Sequence, residues 1–251
     1  MIIFEFDGRK VRFDDSDLER REPDGIYGSL LKGHFYEETF LRYIRSLDLS
    51  GTYLDIGAYI GTHTVFFAMM CPTTRVHSFE PQPMFYARLV ANVEMNRLSD
   101  RVVTHRFALS ERSSDHIRLS FEGETSDVAI RRLDDVVTEP VALVKMDVEG
   151  MEPLVLAGGR RLLRRDHPVV FAEARTNDEY VATATQLRRL GYRRTRRVFN
   201  ATPTYEFVAV PWQRRALDSP AGRHVRARIP IGLRRKLRRF VPPSPEHVAD
   251  R

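Results

Sequence analysis

The sequence predicts an α/β protein built on a doubly wound, mostly parallel sheet, and three observations carry that expectation. From residue 52 onward, short apolar runs alternate with longer segments of helical periodicity. The first of these runs, in "TYLDIGAYIG", ends in an acid and is followed at once by Gly57 and Gly61, as at the carboxyl end of a strand that turns sharply into a helix. The chain of 251 residues, 42% hydrophobic and 29% charged, can bury one sizeable core without a second domain.

Taken in order, residues 1–14 alternate apolar and polar side chains on either side of Asp7-Gly8, a strong hairpin signal. A Gly-containing segment at 25–33 leads to a helix over 35–47, where Phe40, Leu41, Ile44 and Leu47 share a stripe. Strands are then expected at 52–56, 75–80 and 102–108, with helices at 61–70 and 82–96. An interruption at 115–140 reads as one or two extra strands with a turn. The alternation resumes with strand 141–147, helix 151–165, strand 168–173 and helix 178–190. Strands 192–198 and 204–210 lie too close in sequence for a crossover and should pair as an antiparallel hairpin. The helical segments at 84–96 and 152–165 read as core faces covering the sheet.

Charge is unevenly placed. The net charge is +6, but residues 212–251 carry 11 basic and 3 acidic side chains, leaving 29 and 31 for residues 1–211. The tail is therefore +8 and the body −2, and the body lacks the surplus a nucleic-acid binder needs. Within the tail, "IPIGLRRKLRRFV" (229–241) spaces Leu233, Leu237, Phe240 and Val241 helically between basic residues. It is either a short amphipathic helix for an anionic membrane surface or acidic partner, or a solvated tail. Arg supplies 36 of the 40 cations, a bias from which no function is drawn. The lone Cys71 cannot form an internal disulfide and reads as packing. With no apolar leader and no 18-residue apolar span in the sequence, a cytoplasmic location is expected, peripheral to the inner membrane surface if the tail binds lipid.

The candidate site lies where strands end. Gly57 and Gly61 let backbone approach a ligand, and Asp55 could accept hydrogen bonds from a ligand cation or an ordered water. The spacing is G-x-x-x-G with Ala58 and bulky Tyr59 inside it, which departs from the G-x-G-x-x-G of a dinucleotide loop. Glu80 ends the next strand about 20 residues on, where a carboxylate can take both hydroxyls of a ribose. A nucleoside acid without a pyrophosphate loop suggests S-adenosylmethionine.

The segments "LDIGAYIGTHT", "HSFEPQPMFYARLVANVEMN", "RFALSERS", "RLDDV", "VKMDVEGMEPLVLAGG" and "VVFAEA" follow the order and spacing of the FkbM-type methyltransferases, which this sequence resembles over about residues 36–175. The resemblance implies a class I, Rossmann-like, seven-stranded sheet and S-adenosylmethionine as cofactor. It implies a cofactor loop at Asp55, Gly57, Ala58, Tyr59 and Gly61, a ribose acid at Glu80 beside Pro81, and a segment beside adenine at Ala108 and Leu109. The family usually reads "GAN" where this chain has Gly57-Ala58-Tyr59, so Tyr59 departs from it. It also implies O-methylation of a hydroxyl on a sugar, glycolipid or secondary metabolite. The alternatives are an inactive scaffold or membrane-associated binding module, or a methyltransferase of nitrogen or nucleic acid. Against the last stand the non-basic body and a fourth strand ending in "KMDVEG" without a Pro-Pro-aromatic element, so no nucleic acid is expected as partner. An N-terminal hairpin and helix (1–50) would cover a cofactor-binding core (51–211), followed by the basic tail (212–251).

Methyl transfer needs the acceptor aligned, its proton removed and water excluded. Lys145, Asp147 and Glu149 alternate at the end of the fourth parallel strand and would face one side. Asp147 could meet the acceptor or the ammonium of the cofactor, and Glu149 could orient or deprotonate an acceptor hydroxyl. Alternatively, Lys145 is a structural ion-pair partner and Glu149 an acid at a helix start. Glu173 ends the following strand, and Asp147, Glu149 and Glu173 could together hold a divalent metal such as magnesium. His34, in the Gly-flanked segment before the first helix, is a candidate base, and His63 is another.

Overall fold

The computed structural model describes residues 1–16, 25–121 and 124–210. The chain opens with the hairpin β1 (Ile2–Phe6) and β2 (Arg9–Phe13), joined through Asp7 and Gly8 at positive φ. Two helices follow, α1 (Ile26–Leu31) and α2 (Glu38–Ser46). The sheet is then laid down by β3 (Gly51–Ile56), α3 (Thr62–Met70), β4 (Thr73–Phe79), α4 (Pro83–Met95) and β5 (Val102–His105). A smaller unit interrupts it, made of β6 (Ala108–Leu109), β7 (Ser114–Phe121), β8 (Glu124–Arg131) and α5 (Leu133–Val136). The chain returns through β9 (Val141–Met146), α6 (Glu152–Gly158), α7 (Arg160–Asp166), β10 (Val169–Glu173) and α8 (Asn177–Arg189), and the described part ends with β11 (Tyr192–Phe199) and β12 (Thr204–Ala209).

Seven strands form the main sheet in the order β11-β12-β10-β9-β3-β4-β5. The terminal hairpin inserts its second strand beside β10, antiparallel, so β12 is the one strand of reversed direction. Strands added after β3 run outward through β4 and β5, whereas β9 and β10 run outward on the other side. The boundary between β3 and β9 is therefore the topological switch point, where a ligand crevice opens beyond the carboxyl ends. Register fixes what lies there: Asp55 of β3 sits directly across from Lys145 of β9 and from Ser78 of β4.

The two faces of the sheet carry separate apolar clusters. On one face α2, α3 and α4 pack with the N-terminal hairpin, whose Phe6, Val11 and Phe13 share a cluster with Phe66 and Leu41. On the other, α5 to α8 cover Ile56, Val144, Val170 and Phe207. Phe35 joins hairpin to core, with its ring centroid 5.1 Å from both Phe6 and Phe66 and 5.5 Å from Phe4.

Three elements differ from expectation. The helix expected over 151–165 breaks into α6 and α7 where Gly159 leaves helical geometry (φ −108°, ψ 18°), and the neighbouring Gly158 packs against the Ser110 carbonyl, which a Cβ there would meet at 2.1 Å. The strand expected over 102–108 ends at His105, since Ala108 and Leu109 leave β5 to pair with β8. The segment at 25–33 holds α1, whose six residues include Gly28 and lack a capping side chain, so it gives little helical signal. The basic segment 229–241 and the whole 212–251 tail lie outside the described residues. Among the described residues, no helix is long and apolar enough to cross a membrane.

Phe35→Ala empties the junction between hairpin and sheet and is expected to cost about 3–5 kcal/mol in urea denaturation. A loss under about 1 kcal/mol would show that the hairpin does not share the core.

Candidate active site

The cavity at the switch point has a volume of about 650 Å³. One end is formed by the loops after β3 and β4 and by β6: Gly57, Tyr59, Glu80, Pro81, Ala108 and Leu109. The other is acidic, with Asp147, Glu149 and Glu173 from the ends of β9 and β10 and Tyr36 close enough to feel their charge, and Tyr27 also lines the cavity from the N-terminal region. Nine of the expected residues thus meet in one cavity. Asp55, Ala58, Gly61, Lys145 and His34 are not among its lining residues.

The loop after β3 is shaped by close backbone approach. Gly57 has φ +78°, and a Cβ there would lie 1.8 Å from the carbonyl oxygen of Asp147. The N-H groups of Gly57 and Ala58 both donate to the carbonyl of Phe79, tying the end of β3 to the end of β4. Ala58 is buried and Gly61 caps α3 beneath Leu89, so both act as backbone supports. Tyr59 also holds positive φ, at 52°, a conformation that Asn adopts with less strain than an aromatic residue. In that pose its N-H donates to Glu80 Oε2 at 2.9 Å and its ring lies 4.2 Å from that of Phe85.

Glu80 accepts that bond on one oxygen and the Gln82 N-H on the other at 2.8 Å, which fixes its rotamer and leaves further lone pairs on both oxygens. Burial pushes its carboxyl up to about 7, against the pull of these two donors.

Asp55 has a different use from the one expected. It is fully buried below the loop, where Thr64 Oγ1 donates to Oδ2 at 2.6 Å and Lys145 Nζ stands 3.1 Å from Oδ1. Lys145 is buried too, donates to the Gly57 carbonyl at 2.9 Å and lies 3.9 Å from Asp147 Oδ2. Of the two readings of Lys145, this geometry fits the structural ion pair. Burial disfavours its charge, but Asp55 and Asp147 outweigh burial and hold the ammonium protonated. His34 is exposed and its Nδ1 pairs with Glu38 at 3.0 Å, away from the cavity.

The acidic end is internally balanced. Burial raises the Asp147 carboxyl, but Lys145 and a hydrogen bond shared with Glu173 prevail and hold it below its ordinary value. Burial, that same bond and the Asp147 charge hold the Glu173 carboxyl well above the carboxylate range. The pair therefore keeps one proton, on Glu173, at neutral pH. Glu149 is paired with Arg175, which also contacts Glu179 at 3.0 Å. Oxygens of Asp147, Glu149 and Glu173 lie within 4.8 Å of one another, a spacing that could hold a cation. A guanidinium and a proton already serve much of that need for positive charge.

Tyr36, Tyr27, Phe107, Met151 and Thr202 line the cavity without having been legible as site residues. Tyr36 is brought in by the left-handed turn at Glu37, φ 56°. Burial and the charges of Glu37, Asp147 and Glu173 raise its phenol. Beneath it, the buried His63 Nε2 lies 3.4 Å from Glu37 Oε2. Burial pushes His63 down to about 4 and Glu37 up to about 7, so His63 is neutral at physiological pH.

Gly57→Ala requires the ends of β3 and β9 to separate, and is expected to lower stability by about 2 kcal/mol or more by chemical denaturation. A variant as stable as wild type would mean that the two strand ends are not in contact.

The Methyltransferase FkbM domain profile matches residues 55–194. A curated relative, the 31-O-demethyl-FK506 methyltransferase FkbM of Streptomyces tacrolimicus, is 26% identical over 172 residues, covering 49% of this chain and 65% of that protein. The chain thus spans just under two thirds of that relative's length. The solved structure of a methyltransferase FkbM from Methylobacillus flagellatus shares the fold, with a TM-score of 0.51 and 20% identity over 63% of this chain and 43% of that one. With a match to more than half of its length, the chain belongs to the FkbM methyltransferase family.

Proposed function

We propose that the protein is an S-adenosylmethionine-dependent O-methyltransferase acting on a hydroxyl of a small molecule, a sugar or secondary metabolite. The observation that carries this reading is one cavity with a fixed carboxylate acceptor at a backbone-lined end and an ionised Asp147 at the other. The lining residues fit the group. Gly57 brings the ends of β3 and β9 together at the cavity edge, Glu80 has lone pairs for ribose hydroxyls, and Phe107, Ala108 and Leu109 offer an apolar wall for adenine. Among the described lining residues there is no Lys, Arg or His, so the cavity suits a sulfonium cation better than a pyrophosphate. The curated relative, by name a methyltransferase of 31-O-demethyl-FK506, supports oxygen as the acceptor atom.

When bound, S-adenosylmethionine supplies an electrophilic methyl group on sulfur. Asp147, kept ionised by Lys145, takes the proton of the acceptor hydroxyl, and the protonated Glu173 keeps its proton and orients Asp147 by donating a hydrogen bond to it. Tyr27, Ile26 and Phe85 exclude water from the cavity, and Arg175 holds Glu149 at its rim. Asp147→Asn is expected to lower kcat by about 10²–10⁴-fold in a radiolabelled methyl-transfer screen of hydroxyl acceptors, while S-adenosylhomocysteine still binds. Because cation and proton already balance the acidic end, EDTA should leave the rate within about twofold; abolition would assign the three carboxylates to a metal.

Calorimetric titration tests the cofactor half of the reading. Wild type should bind S-adenosylhomocysteine and ignore NAD, and Glu80→Ala should weaken binding about tenfold or more. Ribose hydroxyls donate to the ionised carboxyl, whose free value is about 7. Binding should therefore release a proton and weaken about tenfold from pH 8 to pH 6. A pH-independent affinity, or no binding to folded wild type, contradicts the assignment.

A further inference from the structure

One element ties the loop after β3 to the N-terminal region. Along α4, Arg88, Asn92 and Asn96 are spaced four apart and form one stripe that grips the N-terminal region. Asn96 Oδ1 accepts the Arg12 N-H at 2.9 Å and Nδ2 donates to the Arg12 carbonyl at 2.7 Å, so its amide pairs with β2 as the backbone of a third strand would. Arg88 Nη1 donates to the Tyr27 hydroxyl at 3.2 Å and lies 3.4 Å from Asp14 Oδ2.

Asn92 stands between them, completely buried, and its two amide ends serve different parts of the molecule. Oδ1 accepts the N-H of Asp14 at 2.7 Å, and Nδ2 donates to the carbonyl of Ile60 at 2.7 Å. Ile60 follows Tyr59 in the loop after β3, and Asp14 is held by the same Arg88 that holds Tyr27 of the cavity wall. A path of four hydrogen bonds or ion pairs therefore runs from the loop after β3 to Tyr27 of the cavity wall. Burial makes the central amide hard to replace, because an apolar side chain would leave both the Ile60 carbonyl and the Asp14 N-H without their partner.

We propose that Asn92 is a positioning residue that couples the loop after β3 to the N-terminal wall of the cavity: by fixing the Ile60 carbonyl and the Asp14 N-H together, it makes the order of Tyr27 and its segment depend on occupancy of the cofactor loop. The coupling rests on the cofactor reading above. It gives α4 a task beyond covering the sheet, since cofactor binding at its N-terminal end prepares the N-terminal wall along its length.

Hydrogen exchange of residues 25–36 in the full chain, with and without saturating S-adenosylhomocysteine, reads the coupling, and calorimetry reads the affinity. In wild type the ligand should slow exchange over this segment about tenfold. Asn92→Asp keeps the size and the Asp14 acceptor but loses the donor to Ile60. It should weaken ligand binding about tenfold and reduce the slowing at saturation to under about twofold. Arg88→Met, which removes the contacts with Tyr27 and Asp14 but leaves both Asn92 bonds in place, should abolish the slowing while leaving affinity within about twofold, and it tests the coupling even if Asn92→Asp does not fold. Asn96→Ala should speed exchange in residues 9–13 and leave both the ligand response and the affinity intact. Full slowing in the Arg88 variant, or a wild type that binds ligand without any change over 25–36, overturns the coupling. Failure of wild type to bind the ligand at all overturns the cofactor reading first, and the two outcomes are distinct.

Discussion

The buried pair of Lys145 and Asp55 is the interaction on which the rest of the site depends. It is a cross-strand neighbour pair at the switch point, set by the β3–β9 register and closed by the Gly57 carbonyl and the Thr64 hydroxyl. Moving two charges out of water costs several kcal/mol, so such a pair is a poor source of net stability. Its effect is orientation. The ammonium holds the first carbonyl of the cofactor loop and stands 3.9 Å from Asp147, so one cation shapes both ends of the cavity.

From that arrangement follow two carboxylates in opposite states. Glu80, buried, is pushed up, against its two backbone donors and the charge of Lys145. Asp147, more exposed and facing Lys145, is pushed down, and the proton of the pair stays on Glu173. Separating titratable groups by environment is how one cavity can bind with one acid and accept a proton with another. The N-terminal region completes the enclosure, and its attachment through the polar stripe of α4 and the Phe35 contacts makes it part of the same folded body.

The alternating sheet was legible because strand and helix periods differ and the apolar runs are short. The residues at strand ends, Glu80, Asp147 and Glu173, were legible for the same reason, since parallel topology brings successive carboxyl ends to one edge. What the pattern left open is depth. Asp55 and Lys145 have the parity of site residues but lie under the loop, a distinction that depends on how Gly57 folds over them. Tyr36 and Tyr27 arrive on loops whose path is set by a left-handed turn and by side-chain bonds between distant segments, neither of which has a periodic signature. Asn92 sits in a helical stretch whose apolar stripe reads as core packing, and only its bonds to Ile60 and Asp14 set it apart. The break between α6 and α7 was likewise hidden, because the apolar stripe runs on through Gly158-Gly159 and the packing of Gly158 on the Ser110 carbonyl is a contact between distant segments.

The most direct measurement is the affinity of Lys145→Met for S-adenosylhomocysteine, read by calorimetry on protein shown by circular dichroism to be folded. Lys145 does not line the cavity, so it can act on the ligand only through the loop and the charges it holds. The account predicts that removing the ammonium weakens binding at least about tenfold, as the Gly57 carbonyl and the buried Asp55 lose their shared partner. A folded variant with wild-type affinity would contradict it, and would mean that the cofactor loop keeps its shape without the buried pair.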